Sequence, residues 1–147
     1  MGVYPIVEPS NSRSPEYRAH LEMILASGIC PFCPGGETYQ KQERLGENEH
    51  WIASRNYQPL ANTSYHFLFI PKRHVESRGE LSGEELRALV MLEDGIKKER
   101  EITGSVLYGR DGDPLLTGAT VAHLHFQMIV PQGSAQVFFG PYPKPVS

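Results

Sequence analysis

Cysteine and long apolar runs are both scarce in this chain. Two cysteines, Cys30 and Cys33, occur in 147 residues, too few for the disulfide framework of a small secreted domain. No apolar run approaches the roughly 20 residues that span a bilayer, so no membrane partner is expected. The start, Met1-Gly2-Val3-Tyr4-Pro5, has neither the basic segment nor the apolar stretch of a secretory leader, and a cytoplasmic location is the expectation. Excess positive charge is missing too. Fourteen Lys and Arg against 17 Asp and Glu leave a net charge of −3, which argues against a stable nucleic-acid partner. No internal repeat and no long linker divides the sequence. What remains, 39% hydrophobic and 21% charged residues, is ordinary for one globular domain.

Residues 1–13, rich in Pro, Ser and Asn, read as a loose N-terminal arm, residues 14–131 as the folded domain and residues 132–147 as a Pro-rich C-terminal tail. Ser14-Pro15 has the chemistry of a helix start, since serine caps free N–H groups and proline suits the first helical position. Tyr17, Leu21, Ile24 and Leu25 follow at helical spacing, and Gly28 suits the stop. Cys30 to Gly36 is a Pro- and Gly-rich knuckle. Strands are expected over 37–46 and 49–55, over Tyr65–Ile70, over 105–109 and over 120–130, with a loop at 110–118. A second helix is expected from Ser82 to about Glu101, with Leu86, Leu89, Val90 and Ile96 as its buried stripe. The mixture is α+β.

The chemistry concentrates in Val121-Ala122-His123-Leu124-His125-Phe126-Gln127-Met128-Ile129-Val130. A strand sends alternate side chains to opposite faces. Ala122, Leu124, Phe126, Met128 and Val130 then share an apolar face, and His123, His125 and Gln127 share the other, about 7 Å apart per step. A purely structural strand rarely needs such a polar ladder.

That segment resembles the H-φ-H-φ-H-φ-φ signature (φ apolar) of the histidine-triad (HIT) superfamily, with Gln127 in place of the third histidine. The H-x-H-x-Q variant resembles its nucleotidyltransferase branch, which includes galactose-1-phosphate uridylyltransferases. Tyr65 to His74 is similar to the family's block ending in Ile-Pro-Lys-Arg-His. Trp51 to Leu60 is similar to its ribose-side segment, and Ile29 to Cys33 to the C-x-x-C start of many bacterial members. The resemblance implies a HIT-like fold, an antiparallel sheet of about five strands with two helices. It implies a homodimer acting on a nucleotide or nucleotide conjugate, with His125 as the nucleophile at the α-phosphate and a backbone carbonyl orienting its ring. Neutral imidazole suits that role at pH 7, and the product would be a covalent nucleotidyl-histidine. Gln127 can donate a hydrogen bond to a phosphate oxygen but cannot carry a proton to a leaving group, which favours transfer. By resemblance Thr120 bonds the phosphate or leaving group, and Asn56 stands where many members carry an acid for the ribose hydroxyls. The alternatives are a dinucleotide or nucleoside phosphoramidate hydrolase, and a nucleotide-binding module without turnover.

Cys30-x-x-Cys33 is half of a tetrahedral zinc site. A redox pair is its rival, but Pro34-Gly35-Gly36 does not begin the helix that such a pair usually precedes. The resemblance implies His74 and His123 as the remaining ligands of a structural zinc, with His50 and His66 competing for the third place. His66 reads as a satisfied core histidine, His20 as a solvated one, and Lys72-Arg73 as a solvated basic turn. Arg110, before the histidine segment, reads the same way.

Overall fold

Ser14 accepts a hydrogen bond from the Tyr17 N–H, and Pro15 occupies the first turn of helix α1 (Pro15–Ser27). Gly28, left-handed at φ 72°, returns its N–H to Ile24 and Leu25 and ends the helix. The computed structural model describes residues 2–40 and 42–141, so the last part of the expected tail, 142–147, lies outside the described residues. Strands β1 (Arg44–Glu47), β2 (Trp51–Arg55), β3 (Thr63–Pro71), β4 (Val106–Gly109) and β5 (Phe126–Pro131) form one antiparallel sheet in the order β1-β2-β3-β5-β4. Helix α2 (Gly83–Glu99) starts on a capping box of Ser82 and Glu85. The α+β expectation therefore holds, with a third helix, α3 (Pro114–Thr117), inside the expected 110–118 loop. Asp113 caps α3 and Gly118 closes it.

β3 reads as a continuous apolar run because both its faces are covered. Phe67 and Phe69 pack with Trp51, Leu89, Ile96 and Met128 on the α2 side. Leu68 and Ile70 pack with Leu21, Ile24 and Phe32 on the α1 side. Fully burying a side chain of this size contributes about 1.5–3 kcal/mol.

Four expectations are corrected. The strand expected at 120–130 begins only at Phe126; Val121 forms an isolated bridge to Val7, and 122–125 is irregular. Ala122 N–H donates to Ile6 and Leu124 N–H to Val75, so this stretch is held by two different segments rather than by one ladder. The arm is not loose. Val7 is buried, and Asn11 donates to the carbonyls of Pro114 and Ala119. The strand expected at 37–46 is a short helical turn, Glu37–Tyr39, followed by β1. On α2, Leu86 and Val90 are exposed while Glu85, Leu89 and Ile96 are buried. The Glu85 carboxylate serves the cap and Arg73, and its carbonyl accepts from Trp51 Nε1, which rotates the buried stripe onto Glu85.

Candidate active site

The turn after β3, the knuckle after α1 and the irregular stretch before β5 bring four side chains together. Cys30, Cys33, His74 and His123 place their ligand atoms within 4.8 Å of one another. His123 Nδ1 is 3.5 Å from both sulfurs and 3.1 Å from His74 Nδ1, which is itself 3.1 Å from Cys33 Sγ. His123 Nε2 lies 2.8 Å from the Pro71 carbonyl. A carbonyl only accepts, so Nε2 carries the proton and the Nδ1 lone pair faces the cluster. Bonds of about 2.3 Å to sulfur and 2.0–2.1 Å to nitrogen at tetrahedral angles place ligand atoms about 3.3–3.8 Å apart, close to what is found. The donor set therefore fits a zinc ion, with the Pro71 carbonyl fixing the His123 tautomer as outer partners of metal ligands do. Gly36 closes the knuckle, since a Cβ there would collide with the Cys30 carbonyl and the Pro31 backbone.

His50 and His66 stand elsewhere. His50 lies 3.6 Å from Glu84 and 3.9 Å from Glu49. Lys72 and Arg73 are not merely solvated; they pair with Glu47 and Glu85 at 2.8 Å each.

His125 is on the other side of the knuckle. The Phe32 ring makes T-shaped contacts with both histidines, with centroids 5.2 Å from His125 and 5.9 Å from His123. His125 Nδ1 donates to the His123 carbonyl at 2.9 Å, so Nε2 keeps its lone pair and the ring lines a cleft with Gln127 and Thr120. Burial, opposed by that hydrogen bond and helped by Arg110, lowers the His125 pKa to about 4, so the ring is neutral at pH 7. Burial likewise lowers His123, also to about 4.

His66 is buried and satisfied, and it reaches the cleft only through Gln127. The Leu60 N–H donates to its Nδ1 at 3.0 Å. Nε2 therefore bears the proton and donates to Gln127 Oε1 at 2.7 Å. With its oxygen fixed, the Gln127 amide has its N–H groups left for a ligand. Asn56 lines the cleft with Oδ1 accepting from the Gln58 N–H and Nδ2 against His66 at 3.1 Å. The Thr120 hydroxyl meets Tyr17 Oη at 3.2 Å. The far wall is aromatic. His20 is half-buried rather than fully solvated; it stacks on Tyr57 with centroids 5.9 Å apart at 17°, and Tyr17 lies 5.9 Å from the same ring. Sequence reasoning missed His20 as a cleft residue and His66 as the partner of Gln127. Helical spacing of His20 from Tyr17, and the shared parity of His66 and Leu68 on β3, were the available signals.

No family model matches the chain. A HIT-like protein of Mycoplasma genitalium is 30% identical over 113 residues, covering 76% of this chain and 78% of that protein. A 16.1 kDa HIT-like protein of Mycoplasma pneumoniae is 29% identical over 107 residues, covering 71% and 73%. Among solved structures, the fold matches a histidine triad nucleotide-binding protein from Candida albicans (TM-score 0.57, 17% identity, 76% of this chain and 80% of that one). It also matches a diadenosine triphosphate hydrolase from Plasmodium falciparum (0.54, 20%, 65% and 65%) and a zinc-bound histidine triad family protein from Mycobacterium smegmatis (0.51, 21%, 74% and 78%). A 30% identity that runs through most of a HIT-like relative, on a fold shared with several histidine triad proteins, makes this chain a member of the HIT superfamily.

Proposed function

We propose that the protein acts at the α-phosphate of a nucleotide through a covalent nucleotidyl-His125 intermediate, and that it transfers the nucleotidyl group rather than only hydrolysing it. One observation carries this reading. The His125 Nδ1–H is committed to a carbonyl, so the half-buried, neutral ring presents its Nε2 lone pair to the cleft. The Nε2 pair attacks phosphorus, the bond to the leaving group breaks, and that group keeps the electron pair. Fixing Nδ1–H on the His123 carbonyl stabilises the positive charge that the ring gains. The Gln127 amide, oriented by His66, donates to a phosphate oxygen as charge develops there. It cannot protonate the leaving group, which is the feature that favours transfer and the H-x-H-x-Q branch. Thr120 is assigned to the phosphate or leaving group, and Asn56 to the ribose edge. Tyr17, His20 and Tyr57 offer a stacking wall to the base.

The neighbours support a nucleotide substrate, one being named a nucleotide-binding protein and another a diadenosine triphosphate hydrolase. In the same reading Cys30, Cys33, His74 and His123 hold a structural zinc, which supplies a cross-link between the knuckle and the segment before β5. A zinc-bound member among the fold neighbours supports it. The chain is proposed to form a homodimer, for which Val90 and Met91 on α2, 61% and 74% exposed, offer an apolar face. A monomer in sedimentation at micromolar concentration removes that part. No helix among the described residues is long and apolar enough to cross a membrane.

The test is incubation of the protein with nucleoside di- and triphosphates, dinucleotides, phosphoramidates and sugar nucleotides, followed by intact-mass measurement. A nucleotidyl adduct that is lost in His125→Ala is expected. Nucleotide binding with no adduct and no turnover would leave a binding module instead.

A further inference from the structure

The turn between β1 and β2 sets Glu49 and His50 against the first turn of α2, where Glu84 stands. His50 Nε2 lies 3.6 Å from Glu84 Oε1 and 3.9 Å from Glu49 Oε2, and the three side chains bring their ligand atoms within 4.8 Å of one another. Among the described residues Nε2 has no hydrogen-bond partner, and it is shut off from solvent. Neither state of that nitrogen suits its surroundings. An N–H would point at oxygens beyond hydrogen-bond reach, and a lone pair would face two negative charges. The backbone that carries these groups is fixed. Asn48 Oδ1 accepts from the His50 and Trp51 N–H groups, and its Nδ2 donates to the Ala88 carbonyl of α2 at 2.9 Å. Trp51 Nε1 donates to the Glu85 carbonyl at 2.7 Å, and the His50 carbonyl accepts from the Lys72 N–H at 2.8 Å. The nearby cations are already paired, Lys72 with Glu47 and Arg73 with Glu85. Among the described residues neither Glu49 nor Glu84 has a Lys or Arg partner; each has only His50. Two uncompensated carboxylates thus converge on one unpaired imidazole nitrogen, and a cation between them satisfies all three.

We propose that Glu49, His50 and Glu84 form a second metal site, for a divalent transition cation such as zinc, with water in the remaining coordination position. An imidazole among the ligands favours a cation of that class over magnesium or calcium, which take oxygen shells. Bonds of about 2.0–2.2 Å at tetrahedral angles set ligand atoms about 3.3–3.5 Å apart, and the exposed Glu49 and Glu84 side chains swing inward to reach that spacing. With no thiolate and two solvent-exposed ligands, this site is weaker and more readily exchanged than the Cys30-Cys33-His74-His123 cluster. The ion cross-links the β1–β2 turn to the start of α2, so its binding stabilises the fold. The site is independent of the nucleotidyl-His125 reading and of the metal at the knuckle.

The test is metal uptake by the full-length protein. After dialysis against metal-free buffer the baseline metal content is measured, and Zn²⁺ is then added over a micromolar range. Equilibrium dialysis with elemental analysis should show one further zinc per chain in the wild type. His50→Ala and Glu84→Gln should each bind that zinc at least tenfold more weakly. Glu99→Gln, which removes an exposed charge at the far end of α2, should bind it as the wild type does. Added Zn²⁺ should raise the melting temperature of the wild type more than that of His50→Ala, and Mg²⁺ at the same concentration should raise neither. The difference between wild type and His50→Ala reads this site whatever Cys30 and Cys33 hold. Equal zinc uptake by wild type and His50→Ala, or no further zinc in either, overturns the proposal. So does a wild type that takes up no further zinc yet gains stability over His50→Ala only below about pH 6.5, which would show an imidazolium paired with the two carboxylates in place of a metal.

Discussion

The His125 ring hangs by its Nδ1–H from the backbone carbonyl of His123, 2.9 Å away, while the His123 side chain is anchored in the Cys30-Cys33-His74 cluster. One residue thus serves two sites. Its side chain fixes the chain before β5, and its carbonyl selects which nitrogen of His125 keeps its lone pair.

Elemental analysis of the purified protein should find about one zinc per chain, as a closed four-ligand site requires. Cys30→Ser should lose the metal and lower the melting temperature, because metal-binding free energy is also folding free energy. A wild type that is free of metal and fully stable would remove the zinc proposal.

His125→Ala should abolish the covalent adduct and lower activity by several orders of magnitude, each tenfold being about 1.36 kcal/mol, with metal content and fold unchanged. His123→Ala should lose the metal and impair activity indirectly, by releasing the carbonyl that orients His125. Intact mass and metal content, read on both variants, separate the two roles. An adduct on a histidine in His125→Ala would show that another ring attacks.

Activity should survive mild acid. A solvated histidine nucleophile would lose its lone pair as pH falls through about 6.5, whereas burial lowers His125 to about 4. The rate should therefore stay level between pH 7 and pH 5 and fall only near pH 4, with zinc content followed in parallel to exclude metal loss. A decline centred near pH 6.5 would contradict a ring held neutral by its surroundings.

Gln127→His restores a group that can carry a proton, so the ratio of hydrolysis to transfer should rise. His66→Ala should leave the Gln127 amide unanchored and lower kcat while zinc content stays constant. An unchanged partition in Gln127→His would show that the leaving group never needed that proton, and the argument for transfer from Gln127 would fail.

Glu85 offers a stability test away from the cleft. The Arg73 guanidinium, at 2.8 Å, together with the Ser82 cap, lowers its carboxyl from 4.5 to about 2. A depressed carboxylate stabilises the fold above its unfolded pKa and loses that contribution as pH falls through the folded value. Glu85→Gln should therefore cost about 1–2 kcal/mol at pH 7, allowing for the exposure of Arg73. The gap to wild type should begin to narrow below pH 4.5 and close near pH 2. Denaturant melts across that range would refute this by showing a constant difference.

Local rules were legible without the fold. Ser14-Pro15 and Gly28 delimit α1, and Ser82 with Glu85 starts α2, because capping is settled by neighbours within one turn. The apolar set Leu124, Phe126 and Met128 was legible too, and all three lie in the core on the α2 side. The chemical identities at the site, an imidazole at 125 and an amide at 127, are sequence facts, and so is the Cys30-x-x-Cys33 spacing.

Tertiary structure alone decided which of these groups meet. Alternation on one strand put His123 and His125 on a common face, but that argument needs a strand, and the strand begins at Phe126. His123 is fully buried in the cluster and His125 faces the cleft, because Val75 and Ile6 hold the irregular stretch between them. Likewise the Leu60 N–H fixes the His66 tautomer and turns it on Gln127, 61 residues away in sequence. His20, on the helix surface, and Arg13, in the turn before α1, carried no mark in the sequence of what they would face. Their place depends on α1 crossing the sheet beside Gln127, a long-range packing choice made by Leu21 and Ile24 against Leu68 and Ile70. Periodicity says which side of an element is apolar, and only packing says what that side, or the opposite one, will face.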